Sequence, residues 1–89
     1  MPEPVPDYRI EIARRAETDV ATLTPKLKRK LKDILLNQIA VAPHRGKKLV
    51  GELAGTWSVR LTYKDRIVYR IDEAEKVVYI LRARTHYDI

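Results

Sequence analysis

Trp57 to Asp72 reads WSVRLTYKDRIVYRID. Trp57, Val59, Leu61 and Tyr63 alternate with Ser58, Arg60 and Thr62, the period-two pattern of a half-buried strand. Arg66 to Asp72 continues with Ile67, Val68, Tyr69 and Ile71. Between them Lys64-Asp65 is short enough for a two-residue turn, without its usual Gly. Strands so closely joined pair antiparallel. Downstream, Glu73-Ala74-Glu75 turns the chain into a last strand, Lys76 to Arg84, whose Val77–Leu81 run is apolar on both faces. Upstream, Ala54-Gly55-Thr56 reads as a turn, Lys48 to Leu53 as a short strand, and His44 to Lys48 around Gly46 as a basic loop.

Further upstream the period changes. Leu27, Leu31, Ile34, Leu35 and Ile39 fall on one face of a helix that Thr24-Pro25 starts, with Thr as N-cap and Pro in the first turn. Pro43 ends it near Ala42. Lys26, Lys28, Arg29, Lys30 and Lys32 crowd its first half. Ala13, Ala16, Val20 and Leu23 mark a shorter helix before it, so the two form an αα-hairpin. Tyr8, Ile10 and Ile12 alternate with Arg9 and Glu11 as an opening strand. Pro2, Pro4 and Pro6 make residues 1–6 an extended tail. The expected fold is α+β: a small antiparallel sheet packed against an N-terminal helix pair, in the order β-α-α and then three or four strands.

With 89 residues the chain is read as one domain, 1–89, with a thin core. Its composition, 45% hydrophobic and 34% charged, is that of a folded protein. The absence of cysteine excludes disulfide scaffolds, thiol catalysis and cysteine zinc sites. Two histidines, His44 and His86, make a histidine metal site improbable, so no metal and no cofactor is expected. No apolar run nears the roughly 20 residues of a membrane span. No basic-then-apolar leader is visible, so a cytoplasmic protein without membrane contact is expected.

The charge is informative in its placement. Eighteen Lys and Arg against twelve Asp and Glu give +6. Residues 44–70 hold seven basic side chains (Arg45, Lys47, Lys48, Arg60, Lys64, Arg66, Arg70) against Glu52 and Asp65. Such a balance favours a polyanionic partner. Strand alternation puts Arg60 opposite the Trp57/Val59/Leu61 face, Arg66 and Arg70 together, and Arg82, Arg84 and His86 together. If these faces coincide, several guanidinium groups share one surface, where they repel unless an anion sits among them. Arginine grips phosphate through paired hydrogen bonds. The competing explanation is that each arginine lays its stem on the sheet and meets a carboxylate, but carboxylates are scarce in this stretch. Trp57, Tyr63, Tyr69 and Tyr79 are assigned to the core rather than to base stacking. His86 can carry a proton near neutral pH, and Tyr87 can donate one or stack on a base. No phosphate loop, paired-carboxylate site or Ser-His-Asp set is present. RNA cleavage remains feasible, because the ribose 2′-OH is the nucleophile and only a base, an acid and cations are required of the protein.

These residues resemble the RelE/ParE superfamily of type II toxin–antitoxin toxins. The resemblance runs from Tyr8 to Tyr87 through the β-α-α opening, Ala42-Pro43, Lys47-Lys48-Leu49, LAGTWSVRLTYKDRIVYRID (Leu53 to Asp72) and the final VVYILRARTHYDI. Trp57-Ser58 and Arg84-Thr85-His86-Tyr87 are most similar to the RelE and YoeB branches, which are ribosome-dependent mRNA endonucleases. The resemblance implies a toxin that cuts mRNA in the A site of the 70S ribosome by 2′-OH attack. It implies catalytic roles for Arg66, Arg84, His86 and Tyr87. It implies RNA or 16S ribosomal RNA contact at Arg45, Lys47, Lys48, Ser58 and Arg60. It also implies a cognate antitoxin, with operator DNA met only through that antitoxin. Lys47 stands about where the YoeB branch has a glutamate general base, and Ser58 where the RelE branch often has Lys, so the base is left unassigned. A ParE-like gyrase inhibitor or an inactive nucleic-acid-binding homologue is the alternative.

Overall fold

The structure, a computed structural model, describes residues 7–85. The proline tail of residues 1–6, and His86 and Tyr87, lie outside the described residues. The elements are β1 (Arg9–Ile12), α1 (Arg14–Ala21), α2 (Pro25–Ile34), β2 (Lys47–Lys48), β3 (Trp57–Arg60), β4 (Arg66–Asp72) and β5 (Val77–Thr85).

Thr24 caps α2 as its sequence implies: its side chain accepts a hydrogen bond from the Leu27 amide at 3.3 Å, with Pro25 in the first turn. The helical path then widens into a π-helical turn over Leu35–Ile39, closed by the Ala40 amide on the Leu35 carbonyl. Ile39 and Ala40 are both buried at its end, and Pro43 opens a single 3-10 turn, Pro43–Arg45.

The sheet runs β1-β5-β4-β3-β2. Its β2 to β5 pairings are antiparallel, as the short connections demand. β1 joins at the far edge, parallel to β5, with Ile10 opposite Val78. The helix pair carries the chain from β1 at one edge of the sheet to β2 at the other, and β5 returns beside β1 only after β2, β3 and β4. One sheet face carries Ile67, Tyr69, Val78 and Ile80 into a core with Leu23, Leu31, Ile34, Leu35 and Ile39 from the helical segments. Each such aliphatic side chain stabilises the fold by about 1.5–3 kcal/mol on burial.

Three local expectations are corrected. β3 stops at Arg60 rather than Tyr63. The connection to β4 is a five-residue loop in which the Leu61 and Thr62 amides both donate to the Asp65 carbonyl. The Thr62 hydroxyl accepts from the Lys64 and Asp65 amides, so it supplies the turn chemistry that the missing Gly would have given. Tyr63 consequently points to solvent at 81% exposure, and Tyr79 lies half-buried under Arg70 rather than in the core. The strand expected over Lys48–Leu53 is limited to Lys47–Lys48, followed by a 3-10 turn at Gly51–Leu53.

Tyr69 ties the basic loop to the sheet. Its buried hydroxyl donates to the Pro43 carbonyl at 2.6 Å. Burial pushes its pKa up to about 12, against a partial offset from the Gly46 amide. A Cβ at Gly46 would overlap the Tyr69 hydroxyl and crowd the Ser58 carbonyl, so the close approach of loop and strand requires glycine.

Candidate functional site

The face of the sheet turned away from the helices carries the charge. Register places Arg60 of β3 directly opposite Arg66 of β4, and Arg66 opposite Thr85 of β5. The next row is Lys47, Ser58, Val68 and Arg82 across β2 to β5. Arg70 follows on β4, its guanidinium 4.8 Å above the Tyr79 ring. Like charges directly opposite on neighbouring strands destabilise a sheet. Arg60 and Arg66 nonetheless face each other, and among the described residues neither forms an ion pair, nor does Lys47. The Arg66 Nη1 donates to the Ser58 hydroxyl at 3.3 Å, which aims a half-buried guanidinium. The row therefore has cationic donors arranged for an anion that the described residues do not supply.

Arg84 stands beside this row, one residue before Thr85. Its Nη1 donates to the Thr22 carbonyl and hydroxyl, both at 3.1 Å, and its Nε lies 3.6 Å from the Asp65 carboxylate. Arg82 and Arg84, expected on one face with His86, both reach the same helix end, Arg82 at Asp19 and Arg84 at Thr22. The β4–β5 register shifts between Arg66 and Val68 and again between Val68 and Tyr69, breaking the alternation. Arg82 meets Asp19 of α1 through two hydrogen bonds, Nε at 2.8 Å and Nη2 at 3.1 Å. These bonds hold the Asp19 carboxyl below its ordinary range, burial opposing and the Ala83 amide assisting.

The residues singled out in the sequence thus divide. Lys47, Arg60 and Arg66 share the face turned away from the helices with Ser58, which is buried, and Arg84 flanks it. Lys48 pairs with Trp57 and lies against its ring, 5.8 Å from the centroid. Arg45 lines a cleft of about 410 Å³ with Asn37, Gln38 and Val41, and Ser58 lines the same cleft. His86 and Tyr87 follow Thr85 in the chain, outside the described residues. Asp19 and Asp65 are the carboxylates that meet Arg82 and Arg84, contacts that sequence reasoning missed. For Asp19 a signal exists: 16, 19 and 23 is itself helical spacing, so an acid sits on the buried face of α1.

A second polar cluster lies at the opposite end of β4. Glu73 accepts from the Tyr8 hydroxyl at 2.9 Å, meets His44 Nε2 at 2.6 Å and lies 3.5 Å from Lys76 Nζ. The Tyr8 hydrogen bond, aided by the nearby His44 and Lys76, holds the Glu73 carboxyl below its usual value. The cluster clips the first strand and the 43–45 turn onto the β4–β5 turn. Among the described residues no group of three His, Cys, Asp or Glu is placed to hold a metal ion, and no helix is long and apolar enough to cross a membrane.

Comparison with known proteins gives concordant matches. The family described as YoeB-like toxin of bacterial type II toxin–antitoxin system matches residues 16–87. The toxin RelG of Mycobacterium tuberculosis is 36% identical over 84 residues, covering 92% of this chain and 94% of that protein. In the RelBE2 toxin–antitoxin complex of M. tuberculosis a chain 34% identical superposes with a TM-score of 0.81, over 93% of this chain and 100% of that one. A chain of the heterotetrameric YoeB–YefM complex of Staphylococcus aureus is 25% identical, with a TM-score of 0.64, over 90% and 98%.

Proposed function

The chain belongs to the YoeB-like toxin family of bacterial type II toxin–antitoxin systems, and from that membership we propose that it is an endoribonuclease that cuts mRNA in the ribosomal A site. One observation carries the reading: Arg60 and Arg66 oppose each other with no carboxylate of the described residues paired to either, with Ser58 aiming Arg66 and Arg84 alongside. A phosphodiester fits that arrangement, and the developing negative charge of a five-coordinate phosphorus fits it better.

In the proposed reaction the ribose 2′-oxygen attacks the adjacent phosphorus. The O2′–P bond forms and the P–O5′ bond breaks, leaving a 2′,3′-cyclic phosphate and a 5′-hydroxyl. A base takes the 2′-OH proton and an acid returns one to O5′. His86 is assigned a proton-carrying role and Tyr87 the orientation of the base or leaving group. Arg66 and Arg84 stabilise the phosphorane charge. Lys47 and Arg60 hold flanking phosphates, while Lys48 and Arg45 are assigned to ribosomal RNA. The toxin acts in the cytoplasm. Its partner is a cognate antitoxin, supported by the antitoxin complexes of the M. tuberculosis and S. aureus relatives, and operator DNA is met only through that partner.

Primer extension on an mRNA incubated with the protein, with and without 70S ribosomes, tests this. Codon-spaced cuts that require ribosomes are expected. Arrested translation with intact mRNA would replace cleavage by ribosome blockade. Intact translation would bring the gyrase-inhibitor reading forward.

A further inference from the structure

We infer that Asp19 is a positioning residue: from α1 it fixes the register of β5 and so places Arg84 for the proposed phosphodiester chemistry. The inference rests on the nuclease reading, but its structural half can be tested separately.

β1 covers the edge of β5 only from Val77 to Ile80, and the Ala13 amide makes the last bond, to the Ile80 carbonyl at 2.9 Å. Beyond Ile80 no strand among the described residues takes up that edge. Asp19 does so instead. Its Oδ2 accepts from the Ala83 amide at 3.1 Å and the Arg84 amide at 3.4 Å, while the two oxygens together accept the Arg82 fork. Four donors thus meet one carboxylate, three of them on Oδ2. The side chain is only 12% exposed.

The place matters because β5 is irregular there. Both β4–β5 register shifts fall in the segment that carries Arg82 and Arg84. A one-residue slip in a strand turns each side chain to the opposite face. Pairing with β4 alone leaves that choice weakly determined, and Asp19 supplies the second edge. Thr22, at the end of the same helix, then receives Arg84 Nη1. Helix α1 thus sets both the backbone and the guanidinium plane of Arg84. Its Nη2 carries no bond among the described residues and is left for a phosphate oxygen.

The test compares Asp19→Asn and Asp19→Glu with Glu75→Gln as a control in an exposed turn. Asn keeps one backbone acceptor and loses the charge. Glu keeps the charge but moves the oxygens away from the Ala83 and Arg84 amides, so it stays informative if Asn folds poorly. Two quantities are read: the Arg84 amide and Nε–H signals by NMR of the free toxin, and single-turnover cleavage on saturating programmed ribosomes. Both Asp19 variants should shift the Arg84 signals toward those of an unstructured arginine. Both should slow cleavage about tenfold or more, while the half-saturating concentration moves by less than about twofold. Unchanged Arg84 signals would overturn the inference, as would shifted signals with full cleavage rate. If the wild-type protein cuts no mRNA while the signals still shift, the Asp19 pin is upheld and the nuclease reading is what fails.

Discussion

Arg66 is held at a cost. It faces Arg60 across β3 and β4, and its one side-chain hydrogen bond among the described residues, to Ser58, is to a neutral hydroxyl. Arg66→Ala should therefore leave thermal stability unchanged or slightly raised while cleavage falls by two or more orders of magnitude, a pattern typical of residues kept for function. Tyr69 behaves in the opposite way. Tyr69→Phe removes the bond to the Pro43 carbonyl and should lower stability by about 1–3 kcal/mol, leaving that carbonyl only the long 3.4 Å bond from the Gly46 amide. The hydroxyl ionises near 10 in the unfolded chain and at about 12 when folded. The stabilisation linked to it is complete below pH 10 and lost as pH rises through 12, on the order of 2–3 kcal/mol. Alkaline unfolding followed by near-ultraviolet circular dichroism should show this decline in the wild type, and Tyr69→Phe should flatten it.

Elements with strong local signals are legible in the sequence alone. Thr24-Pro25 and the 27-31-34-35-39 spacing place α2, and the alternation from Trp57 places β3 and its antiparallel neighbours. Thr24→Ala should cost about 1 kcal/mol, measurable by urea denaturation, because the Leu27 amide loses its acceptor. What the sequence hides is set by distant partners. The end of β3 at Arg60 depends on Thr62 and Asp65 closing a wider loop, which apolar alternation through Tyr63 disguises. The parallel docking of β1 joins residues about 68 positions apart, as Ile10 and Val78 do. The bulged end of β5 depends on Asp19, 64 residues from Ala83. For the same reason the candidate site is half legible. Ser58, Arg60 and Arg66 fall together by alternation, whereas Lys47 joins them only through the short pairing of β2 with β3, and the paths of Arg82 and Arg84 follow from α1.

At the scale of the whole molecule the +6 charge acts through its distribution. Ribosome or RNA binding should weaken steeply with salt, and Arg60→Gln should reduce the slope of log affinity against log salt by roughly one. Acid acts on the two carboxylates that bridge distant segments. Asp19 and Glu73 are both held below their ordinary values, 3.8 and 4.5, so the unfolded chain takes up their protons first. Their contribution is complete above those values and fades as pH falls below them. Asp19→Asn should make stability less dependent on pH in that range, by denaturant titration across acid pH.

The central claim is that the opposed arginine face is a phosphodiester site and not merely a charged surface. Single-turnover cleavage of a programmed mRNA, with ribosome affinity measured alongside for wild type and Arg66→Ala, tests it most directly. The account predicts a wild-type cut whose rate drops at least about a hundredfold in the variant while affinity changes by less than about threefold. Equal cleavage rates, or a loss explained wholly by weaker binding, would contradict it.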